Sequence, residues 1–438
     1  MTISDLEGRK LAIWGLGAEG LASYRYLRRH FADKPLILIN KEPLASLPDP
    51  LADDPHVIFL PESDLDRHLD DMDLVIKAPG VSLYHPLVAA LKAHDITVTS
   101  ATNLWFARPR QAKTIAVTGS NGKSTTCALL SHIMNESGIR TELGGNIGRP
   151  LLSLPDDADY YVIELSSYQT ADLAFAPDIA VLLNLFPEHI QWHRSHEQYY
   201  RDKCRLVTLG AGVVILNHDD ALTRKRLADV PAGVVRFNDP AAIHARGAGI
   251  YQADRLIGDG GRMLLPGAHN RQNLCAALTV CHALGLDLKA CFEHALRFGG
   301  LPHRLEHLGE RRGIGYVNDS ISTTPEATLA ALKSFPGQPI TLIAGGQDRQ
   351  QDYGALRRYI TAHPAIQVIA AYETGPRMIR GLDDRQATLV RDLEAAVAKA
   401  QAITSRGGLI LLSPAAPSYD GFRDFQQRGE RFRALATA

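Results

Sequence analysis

Short apolar runs alternate along this chain with longer segments in which apolar side chains recur every three or four positions. The first run, residues 10–14, ends in a glycine-rich turn, and the segment after it places Leu21, Tyr24 and Leu27 on one helical face. Such alternation predicts an α/β protein in which parallel sheets are covered by helices. The runs that predict strands are residues 10–14, 36–40, 74–80, 114–117, 160–164, 179–184, 213–217, 314–319, 340–346 and 409–413.

Two breaks in this alternation divide the chain into three segments. A charged segment that contains proline, residues 107–111, precedes the strand-like run at 114–117, and a glycine- and proline-containing segment lies at residues 298–304. A chain of 438 residues is too long for one ordinary hydrophobic core, so several domains are expected. We therefore predict three α/β domains, at residues 1–108, 109–299 and 300–438.

The strongest chemical signal is the sequence TGSNGKST at residues 118–125, which stands between a predicted strand and a predicted helix. Backbone N–H groups of such a loop close around phosphate oxygens, and the helix N-terminus adds partial positive charge. Lys123 can reach the β- and γ-phosphates of a nucleotide, while Ser124 or Thr125 can ligate Mg²⁺. The loop is a shortened variant, because Val117 occupies the place of the first glycine in the usual pattern.

A second glycine loop, with Gly15, Gly17 and Gly20, follows the first predicted strand in the pattern GxGxxG. This pattern binds dinucleotides in oxidoreductases, in which an acidic residue about twenty positions later holds a ribose. Here Asn40 ends the second predicted strand, and Glu42 lies beyond it. The loop therefore favours a nucleotide-bearing substrate over a nicotinamide cofactor, and a purely structural turn is the third alternative.

Carboxylate and imidazole groups that can hold a metal follow the phosphate loop in the sequence. Glu164 ends an apolar strand, at the edge of a parallel sheet where ligand sites form. His189, His193 and His196 have helical spacing, but neither an HExxH sequence nor a cysteine accompanies them, so zinc is disfavoured. We expect one functional histidine and two exposed ones. By spacing alone, Lys203 is an ordinary helix lysine.

Composition excludes several classes of function. Lys and Arg number 47 against 48 Asp and Glu. The chain therefore lacks the surplus of basic residues that would indicate a nucleic-acid partner. The first residues lack the basic and apolar parts of a signal peptide, and no apolar run reaches the length of a membrane span. We therefore expect a cytoplasmic protein without membrane or nucleic-acid partners. Its cysteines are then expected to be buried free thiols: Cys127, Cys204, Cys275, Cys281 and Cys291.

Taken in order, the motifs of this chain resemble those of the Mur ligases, the ATP-dependent amide-forming enzymes of peptidoglycan precursor synthesis, and most closely the glutamate-adding MurD type. The resemblance covers nearly the whole chain and implies a Rossmann-like N-terminal domain, a central P-loop ATPase-like domain and a Rossmann-like C-terminal domain. Its markers are TGSNGKST at 118–125, GGNIG at 144–148, ELSSYQ at 164–169, NLFPEH at 184–189, YYRDK at 199–203, HNRQN at 269–273, GLPHR at 300–304, NDS at 318–320 and LSPAAPSYDGFRDFQQRG at 412–429.

The resemblance implies roles for the nucleotide and metal residues. The ATP-binding residues that it implies are Gly119, Asn121, Gly122, Lys123, Ser124, Thr125, Asn270, Asn273, Arg304 and Asp319. Two Mg²⁺ ions would be ligated by Ser124, Glu164, His189 and Lys203. Lys203 would carry a carbamate, which turns a cation into an anionic oxygen ligand. The implied catalytic residues are Lys123, Glu164, His189 and Lys203.

The same resemblance implies two organic substrates, UDP-N-acetylmuramoyl-L-alanine and glutamate. The terminal carboxylate of the UDP-sugar-alanine would attack the γ-phosphoryl group to give an acyl phosphate, and the amine of glutamate would then displace phosphate. Acyl phosphates hydrolyse in water, so closure of the third domain over the site is expected. We also expect a monomer. The implied residues for the UDP-substrate are Gly15, Gly17, Ala18, Glu19, Asn40, Pro79, Gly80, Asn146, Ser166, Gln169 and His189.

The sequence departs from the family pattern mainly in the expected glutamate pocket. Where D-glutamate-adding relatives read DSKATN, this chain reads DSISTT at 319–324, so Ile321 replaces a lysine. A second family lysine aligns with Arg349, whose planar guanidinium can bind a carboxylate through two hydrogen bonds. The DSISTTP form is similar to that of the branch that adds L-glutamate, so L-glutamate is favoured over D-glutamate. The implied glutamate-binding residues are Thr323, Arg349, Ser418 and Phe425.

Three other functions compete with this one. A folylpolyglutamate-synthetase-like ligase shares the central loop but lacks a uridine-type first domain, so the glycine loop at residues 15–20 argues against it. A nicotinamide oxidoreductase leaves residues 118–203 unexplained. A nucleotide-gated binding protein without chemistry does not need the four implied catalytic side chains together.

Overall fold

A computed structural model describes residues 1–41, 51, 54–228, 233–265 and 267–437 of the chain. The described residues form three sheets, and helices alternate with most of their strands, so the predicted α/β class with parallel sheets is confirmed. The chain separates into two compact units, one made of residues 1–261 and 268–296 and the other of residues 262–267 and 297–438. The first unit contains two of the three sheets, whereas the predicted three-domain boundaries stay a prediction.

The first sheet has five parallel strands, which are Leu11–Trp14 (β1), Leu36–Asn40 (β2), Val57–Pro61 (β3), Leu74–Lys77 (β4) and Thr97–Ser100 (β5), in the order β3-β2-β1-β4-β5. Leu11 and Ile13 point to one core cluster, while Ala12 and Trp14 point to another. Both faces of the sheet are therefore buried, as parallel strands require. The helices of this region are Ala18–His30 (α1), Pro86–Ala93 (α2) and Ala101–Phe106 (α3).

The second sheet has nine strands, which are Lys113–Thr118 (β6), Thr141–Gly145 (β7), Tyr160–Glu164 (β8), Ile179–Leu182 (β9), Val213–Asn217 (β10), Val234–Phe237 (β11), Ile243–Arg246 (β12), Gly249–Gln252 (β13) and Arg255–Asp259 (β14). Their order is β14-β13-β12-β11-β10-β9-β6-β8-β7, and only the pairs β12–β13 and β13–β14 are antiparallel. The helices are Lys123–Glu136 (α4), Ser167–Ala171 (α5), Ile190–His193 (α6), His196–Thr208 (α7), Ala221–Arg226 (α8), Ala268–Ala283 (α9) and Leu288–Ala295 (α10).

The strand order of the second sheet determines which of the predicted site segments lie close together. Strand β6 is paired in parallel with both β8 and β9, so the segments that follow these three strands leave the same edge of the sheet. Those segments carry the phosphate loop, the residues after Glu164 and the residues before His189. Ligand sites of open α/β sheets lie at this carboxyl edge.

The first two sheets share one hydrophobic core. Leu11 and Leu38 of the first sheet belong to the same buried cluster as Ile163 and Leu182 of the second. Trp105 on α3 packs edge to face on the ring of Tyr161, with ring centroids 5.1 Å apart. This shared core explains why the contacts of the two sheets form a single compact unit.

The third sheet has six strands, which are Glu306–Arg311 (β15), Ile314–Asn318 (β16), Ile340–Gly345 (β17), Ile366–Ala371 (β18), Ala387–Leu389 (β19) and Leu409–Leu412 (β20), in the order β15-β16-β20-β17-β18-β19. Only β15 runs antiparallel to its neighbour. Leu342 and Ile343, neighbours on β17, face separate core clusters on the two sides of the sheet. The helices are Pro325–Lys333 (α11), Gly354–Thr361 (α12), Gly375–Met378 (α13), Leu393–Ile403 (α14) and Phe425–Thr437 (α15).

Several strands lie outside the runs that predicted strands. They include β3, β5, β7, β11 to β15, β18 and β19, of which β11 to β14 carry mixed polar and apolar side chains. In the sequence GGNIG, Gly144 and Gly145 end strand β7, and the residues after them form a bend. Short 3₁₀ helices lie at Ile3–Leu6, Glu62–Arg67, Leu69–Asp71, Leu151–Ser153 and Gly260–Arg262.

Two further expectations concern thiols and membranes. The five cysteines are buried and free, as the sequence predicts. Within the described parts of the chain, no helix combines the length and the apolar character that crossing a membrane requires.

We predict that Leu129→Ala lowers the free energy of unfolding of the first unit by about 2–5 kcal/mol. Leu129 is fully buried on α4, the helix that begins at Lys123, and its truncation leaves a cavity in a packed interior. Chemical denaturation followed by circular dichroism measures the loss. Leu256→Ala, at a leucine that is 55% exposed on β14, is the control and should cost less than about 0.5 kcal/mol. Equal losses in both variants would contradict the packing of α4.

Candidate active site

The phosphate loop is held in shape by the segments beside it. Gly122 is the N-cap residue directly before helix α4, and its φ is 83°. A β-carbon at this position would lie 2.4 Å from Oδ1 of Asn273 on α9. The N–H of Asn121 donates to Oδ1 of Asn184 at 2.9 Å, and Nδ2 of Asn184 donates back to the Asn121 carbonyl at 3.1 Å. Only glycine fits the turn at 122, and the loop is therefore preformed.

Lys123 folds back over its own loop. Its Nζ donates to the carbonyl oxygens of Gly119 at 2.9 Å and Ser120 at 2.7 Å. Ser124 and Thr125 lie in the first turn of α4, a helix of 14 residues whose N-terminal end carries partial positive charge. The ammonium group of Lys123 and the N-terminal end of the helix thus lie at the same loop, which favours the binding of an anion.

Lys203 reaches the same loop from helix α7. Its Nζ donates to the Gly119 carbonyl at 2.8 Å, and the side chain is 2% exposed. Burial, with a smaller contribution from the charge of Lys123, lowers the pKa of Lys203 to about 7. Spacing alone made this residue an ordinary helix lysine, whereas the fold brings it to the phosphate loop.

Glu164 ends β8 as a buried carboxylate with one open oxygen. Its Oε1 accepts a hydrogen bond from Nδ2 of Asn146 at 2.7 Å, while Oε2 is buried and has no hydrogen-bond partner among the described residues. A buried carboxylate oxygen without a partner is costly unless a cation or another donor approaches it. This atom is therefore suited to a divalent cation.

His189 directly precedes the four-residue helix α6 as its N-cap, in a left-handed conformation with φ = 54°. Burial lowers the pKa of its imidazole; the carboxylate of Glu188 opposes this effect, and the charges of Lys203 and Lys123 add to it. A neutral imidazole is the form that ligates metals. The ring lies 5.1 Å from that of Tyr168, centroid to centroid.

His193 contradicts the expectation of two exposed histidines beside a functional one. His196 is exposed, but the side chain of His193 is fully buried. Its Nδ1 lies 2.6 Å from Oδ2 of Asp202, and its Nε2 lies 2.9 Å from Oγ of Ser167. The order serine, histidine, aspartate is that of a hydrolase triad, but Ser167 is only 3% exposed and cannot meet a substrate. Its hydrogen bonds are structural.

The segment predicted as the first domain, residues 1–108, contains a cavity of about 550 Å³ at the carboxyl edge of the first sheet. Its wall includes every first-domain residue that was implied for the UDP-substrate: Gly15, Gly17, Ala18, Glu19, Asn40, Pro79 and Gly80. The structure also adds residues that sequence reasoning missed. Trp14 and His85 line the cavity, pack edge to face at 5.5 Å, and Trp14 Nε1 donates to Glu62 Oε2 at 2.8 Å.

Three further residues implied for the UDP-substrate, Asn146, Ser166 and Gln169, lie at the carboxyl edge of the second sheet, and Gln169 contacts Glu19 in the wall of this cavity. Ser166 and Gln169 form a capping box at the start of α5, and Gln169 Nε2 donates to Glu19 Oε1 at 3.2 Å. Burial raises the pKa of Glu19 to about 7, against the lowering effect of the hydrogen bond from Gln169. The Oε2 atom of Glu19 is buried and has no partner among the described residues. Glu19 is therefore poised to exchange a hydrogen bond with a ligand.

A charged residue ends the apolar strand β4. Lys77 is 1% exposed, and its Nζ lies 3.4 Å from Oδ2 of Asp172 and 5.8 Å from the centre of the Trp192 ring. Sequence reasoning missed this ion pair, although a lysine inside an apolar run was a usable signal.

In the second unit, the implied nucleotide residue Asp319 is buried after β16. Its Oδ1 accepts from the Leu305 N–H at 3.0 Å, and its Oδ2 accepts from Ser413 Oγ at 2.7 Å. Burial raises the pKa of Asp319 to about 6 although these donors oppose the rise. The neighbouring residue implied for the nucleotide, Arg304, donates its backbone N–H to the Leu301 carbonyl at 3.0 Å.

Three of the four implied glutamate residues, Thr323, Arg349 and Ser418, lie on loops of the second unit. Arg349 rests over the exposed ring of Tyr419, with 5.8 Å from Cζ to the ring centre. The Thr323 carbonyl accepts from Gln351 Nε2 at 3.3 Å, and Ser418 is buried. Phe425 begins α15 and packs edge to face on His303 at 6.0 Å.

A second guanidinium stands beside the Arg349 segment and was missed by sequence reasoning. Arg377 Nη2 lies 2.9 Å from Oδ1 of Asp348 and donates to the Gln351 carbonyl at 2.8 Å. Its Nε is buried without a partner among the described residues. No local sequence signal relates position 377 to 348, because the contact depends on the pairing of β17 with β18.

Comparison with known proteins supplies a family. Residues 117–281 match the Mur ligase middle domain, and residues 303–416 match the Mur ligase glutamate ligase domain. Relatives named UDP-N-acetylmuramoyl-L-alanine--L-glutamate ligase come from Xanthomonas oryzae pv. oryzae, at 42% identity, and from Xylella fastidiosa, at 41%. Each alignment covers 100% of this chain and 97% of the relative. A relative of the same name from Micromonospora is 39% identical and covers 99% and 97%.

Solved structures share the fold. MurF from Acinetobacter baumannii matches 98% of this chain and 91% of its own, with a TM-score of 0.60 and 17% identity. MurC from Thermotoga maritima covers 98% and 100%, with a TM-score of 0.58 and 20% identity. MurF from Thermotoga maritima, solved in complex with ADP, covers 97% and 93%, with a TM-score of 0.54 and 16% identity. The full-length relatives and the two matched domains establish that the chain belongs to the Mur ligases, a family of ATP-dependent ligases.

Proposed function

We propose that this enzyme joins L-glutamate to UDP-N-acetylmuramoyl-L-alanine at the expense of ATP, in peptidoglycan precursor synthesis. The observation that carries the proposal is identity of 39–42% over almost the full chain to relatives named for that reaction. The geometry of the first unit supports it independently. A preformed phosphate loop with two convergent lysines occupies the same compact unit as a cavity lined by the residues implied for a uridine nucleotide.

ATP would bind with its phosphates against residues 119–125. The Lys123 ammonium, which donates to the Gly119 and Ser120 carbonyls, would turn to the β- and γ-phosphate oxygens, and the N-terminus of α4 would face the same charge. Asn273, already against Gly122, is implied for the adenine side together with Asn270. The contribution of Arg304 and Asp319 to the nucleotide remains a prediction.

The donor set fits the two Mg²⁺ ions that the family resemblance implies. The open Oε2 of Glu164 and the imidazole of His189 are suitable ligands, and Ser124 offers a hydroxyl in the first turn of α4. When bound, the ions would neutralise charge on the phosphoryl group during its transfer. The protein holds these ligands at the ends of three neighbouring strands.

Lys203 would complete this set as a carbamate. Its amine is buried and its pKa is lowered to about 7, so a large share is neutral and nucleophilic near neutral pH. Addition of the neutral amine to carbon dioxide forms an N–C bond and releases one proton, which leaves an anionic oxygen donor. The repulsion between Lys203 and Lys123 at the Gly119 carbonyl would then become an attraction.

The reaction would proceed through an acyl phosphate. The alanine carboxylate attacks the γ-phosphorus, ADP leaves, and the glutamate amine then attacks the acyl carbon and displaces phosphate with loss of a proton. Lys123 and the loop N–H groups would stabilise the charge of the transferring group. The cavity that contains Glu19, and the residues Asn146, Ser166 and Gln169, would orient the UDP-substrate so that its carboxylate meets the phosphate.

The preference for L-glutamate rests on the names of the relatives and on the changed cations of the pocket. Ile321 replaces a lysine, and its backbone N–H donates to the His303 carbonyl at 3.0 Å. Arg349 replaces another lysine, and Arg377 stands beside its segment. Moving guanidinium groups relative to a carboxylate changes which enantiomer presents its amine correctly. Monomeric state and cytoplasmic location remain expectations.

Release of inorganic phosphate tests the proposal. Purified enzyme with ATP, Mg²⁺ and UDP-N-acetylmuramoyl-L-alanine is expected to release phosphate with L-glutamate at least about tenfold faster than with D-glutamate, a difference of about 1.4 kcal/mol in transition-state binding. Product mass identifies the amide.

Lys123→Ala is the matched negative control and should abolish release with either enantiomer. Faster release with D-glutamate would reject the L-glutamate assignment but keep the ligase. No release with either amino acid by the wild-type enzyme would reject the proposed substrate pair.

We predict that Lys203→Ala lowers kcat by at least about 100-fold, because it removes an anionic ligand beside the transferring phosphate. Short carboxylic acids such as formate or acetate should restore part of the rate, since they can supply the missing oxygen atoms. Lys225→Ala, at an exposed lysine of α8, is the control and should behave as wild type. An unchanged rate in Lys203→Ala, or equal stimulation of both variants by the acids, would contradict the carbamate role.

A further inference from the structure

The first-domain cavity lined by Gly15, Asn40 and Pro79 is the uridine-side cavity. A hydrogen-bonded bridge joins its rim to α7, the helix that carries Lys203. Tyr84 follows the rim residues Pro79 and Gly80, and its hydroxyl donates to the carboxylate of Asp202, 2.7 Å from Oδ1 and 2.9 Å from Oδ2. Asp202 directly precedes Lys203 on α7. Neither Tyr84 nor Asp202 has a role in the chemistry described so far.

Asp202 is the centre of a saturated polar cluster. It is 4% exposed, and besides Tyr84 it accepts from Nε2 of Gln198 at 2.7 Å and from Nδ1 of His193 at 2.6 Å. The other nitrogen of His193 lies 2.9 Å from the Ser167 hydroxyl at the start of α5. Gln198 lies on α7 with Asp202, whereas Tyr84 and His193 lie outside that helix, so the carboxylate ties α7 to two other parts of the unit.

A second connection runs parallel to the first through Trp192. Its indole Nε1 donates to the Pro79 carbonyl at 3.1 Å, and its own carbonyl accepts from Oγ of Ser82 at 2.7 Å. The Tyr84 ring packs edge to face on the indole at 5.9 Å, and the Tyr168 ring stacks on it at 4.6 Å. The rim segment 79–84 is therefore joined to the segment 189–203 through Trp192 as well as through the Tyr84 hydroxyl, and the Arg194 guanidinium also donates to the Tyr84 carbonyl.

The fastened segment needs outside support. Helix α6 has only four residues and lies between His189 at φ = 54° and Arg194 at φ = 68°, two non-glycine residues in the left-handed region. Such conformations persist only where the surroundings hold them. The supports from Tyr84, Ser82 and Pro79 all come from the first domain, next to the cavity.

We propose that Tyr84 and Asp202 are positioning residues that couple the rim of the uridine-side cavity to His189 and Lys203. The inference deepens the proposed function and rests on it, because it assigns the cavity to the UDP-substrate. Occupation of the cavity orders the rim at Pro79–Gly80, and the two connections pass that order to the segment that presents the metal ligands. Substrate binding and the geometry of phosphoryl transfer are thereby linked.

Steady-state kinetics of Tyr84→Phe, Asp202→Asn and the double variant test the coupling. Tyr84→Phe removes one hydroxyl, and we expect kcat to fall about tenfold while the KM for ATP changes less than about threefold. Asp202→Asn should lower kcat by about 100-fold. Because both changes break one bridge, the double variant should be no slower than Asp202→Asn.

Tyr24→Phe is the matched control. Tyr24 also donates to a carboxylate, Asp54 Oδ2 at 2.6 Å, and both residues of that pair lie within the first domain. It should change thermal stability about as much as Tyr84→Phe and leave kcat unchanged. Equal kcat in the two tyrosine variants would overturn the proposal and leave Tyr84 a structural residue.

Hydrogen exchange with UDP alone supplies a readout that needs no turnover. In the wild-type protein UDP should slow exchange in residues 15–20 and also, by roughly fivefold, in residues 189–208. In Tyr84→Phe the first effect should remain and the second should become smaller, because only the connection through Trp192 is left intact. Slowing at 15–20 without slowing at 189–208 in the wild-type protein would overturn the coupling. Slowing at neither place would reject the uridine site itself, and the coupling with it.

Discussion

The first unit depends on one carbonyl oxygen. The Gly119 carbonyl accepts hydrogen bonds from the ammonium groups of both Lys123 and Lys203, and one of these lysines is almost fully buried. Two cations so close repel each other, and burial removes the water that would screen them. Burial, and to a smaller extent the charge of Lys123, lowers the pKa of Lys203. An anion at the loop, or conversion of one amine to an anion, relieves this repulsion, so the loop is prepared for phosphate by its own unfavourable electrostatics.

The loop keeps the two ammonium groups close together because contacts from neighbouring segments hold its backbone in place. Gly122 is pressed against Asn273, Asn121 exchanges two hydrogen bonds with Asn184, and the Ser120 hydroxyl lies 2.7 Å from the Tyr199 hydroxyl on α7. These supports come from α9, from the segment after β9 and from α7. A loop held on three sides cannot relax away from two lysines, and the packing of the central sheet supplies the free energy that keeps it there.

The same unit balances this positive centre with carboxylates that retain open oxygens. Glu164 and Glu19 each have one buried oxygen without a partner among the described residues. Natural interiors leave few such atoms. Glu164 stands at the end of a strand next to the loop, and Glu19 stands in the wall of the first-domain cavity. A ligand of mixed charge would complete the unsatisfied groups at these two places.

Contiguous motifs and apolar strands could be predicted from the sequence, because each is defined by residues that are neighbours along the chain. The runs at 160–164 and 213–217 became strands β8 and β10 with unchanged bounds, and the loop at 118–125 lies between a strand and a helix as predicted. Strands β11 to β14 were not predicted, because they mix polar and apolar side chains and are held in place by cross-strand pairing. The burial of His193, the approach of Lys203 to Gly119, the bridge from Tyr84 to Asp202 and the position of Arg377 were decided by tertiary structure alone. Each joins residues far apart in the chain, and a single side chain carries no local mark of the partner that the topology of the sheet will bring to it.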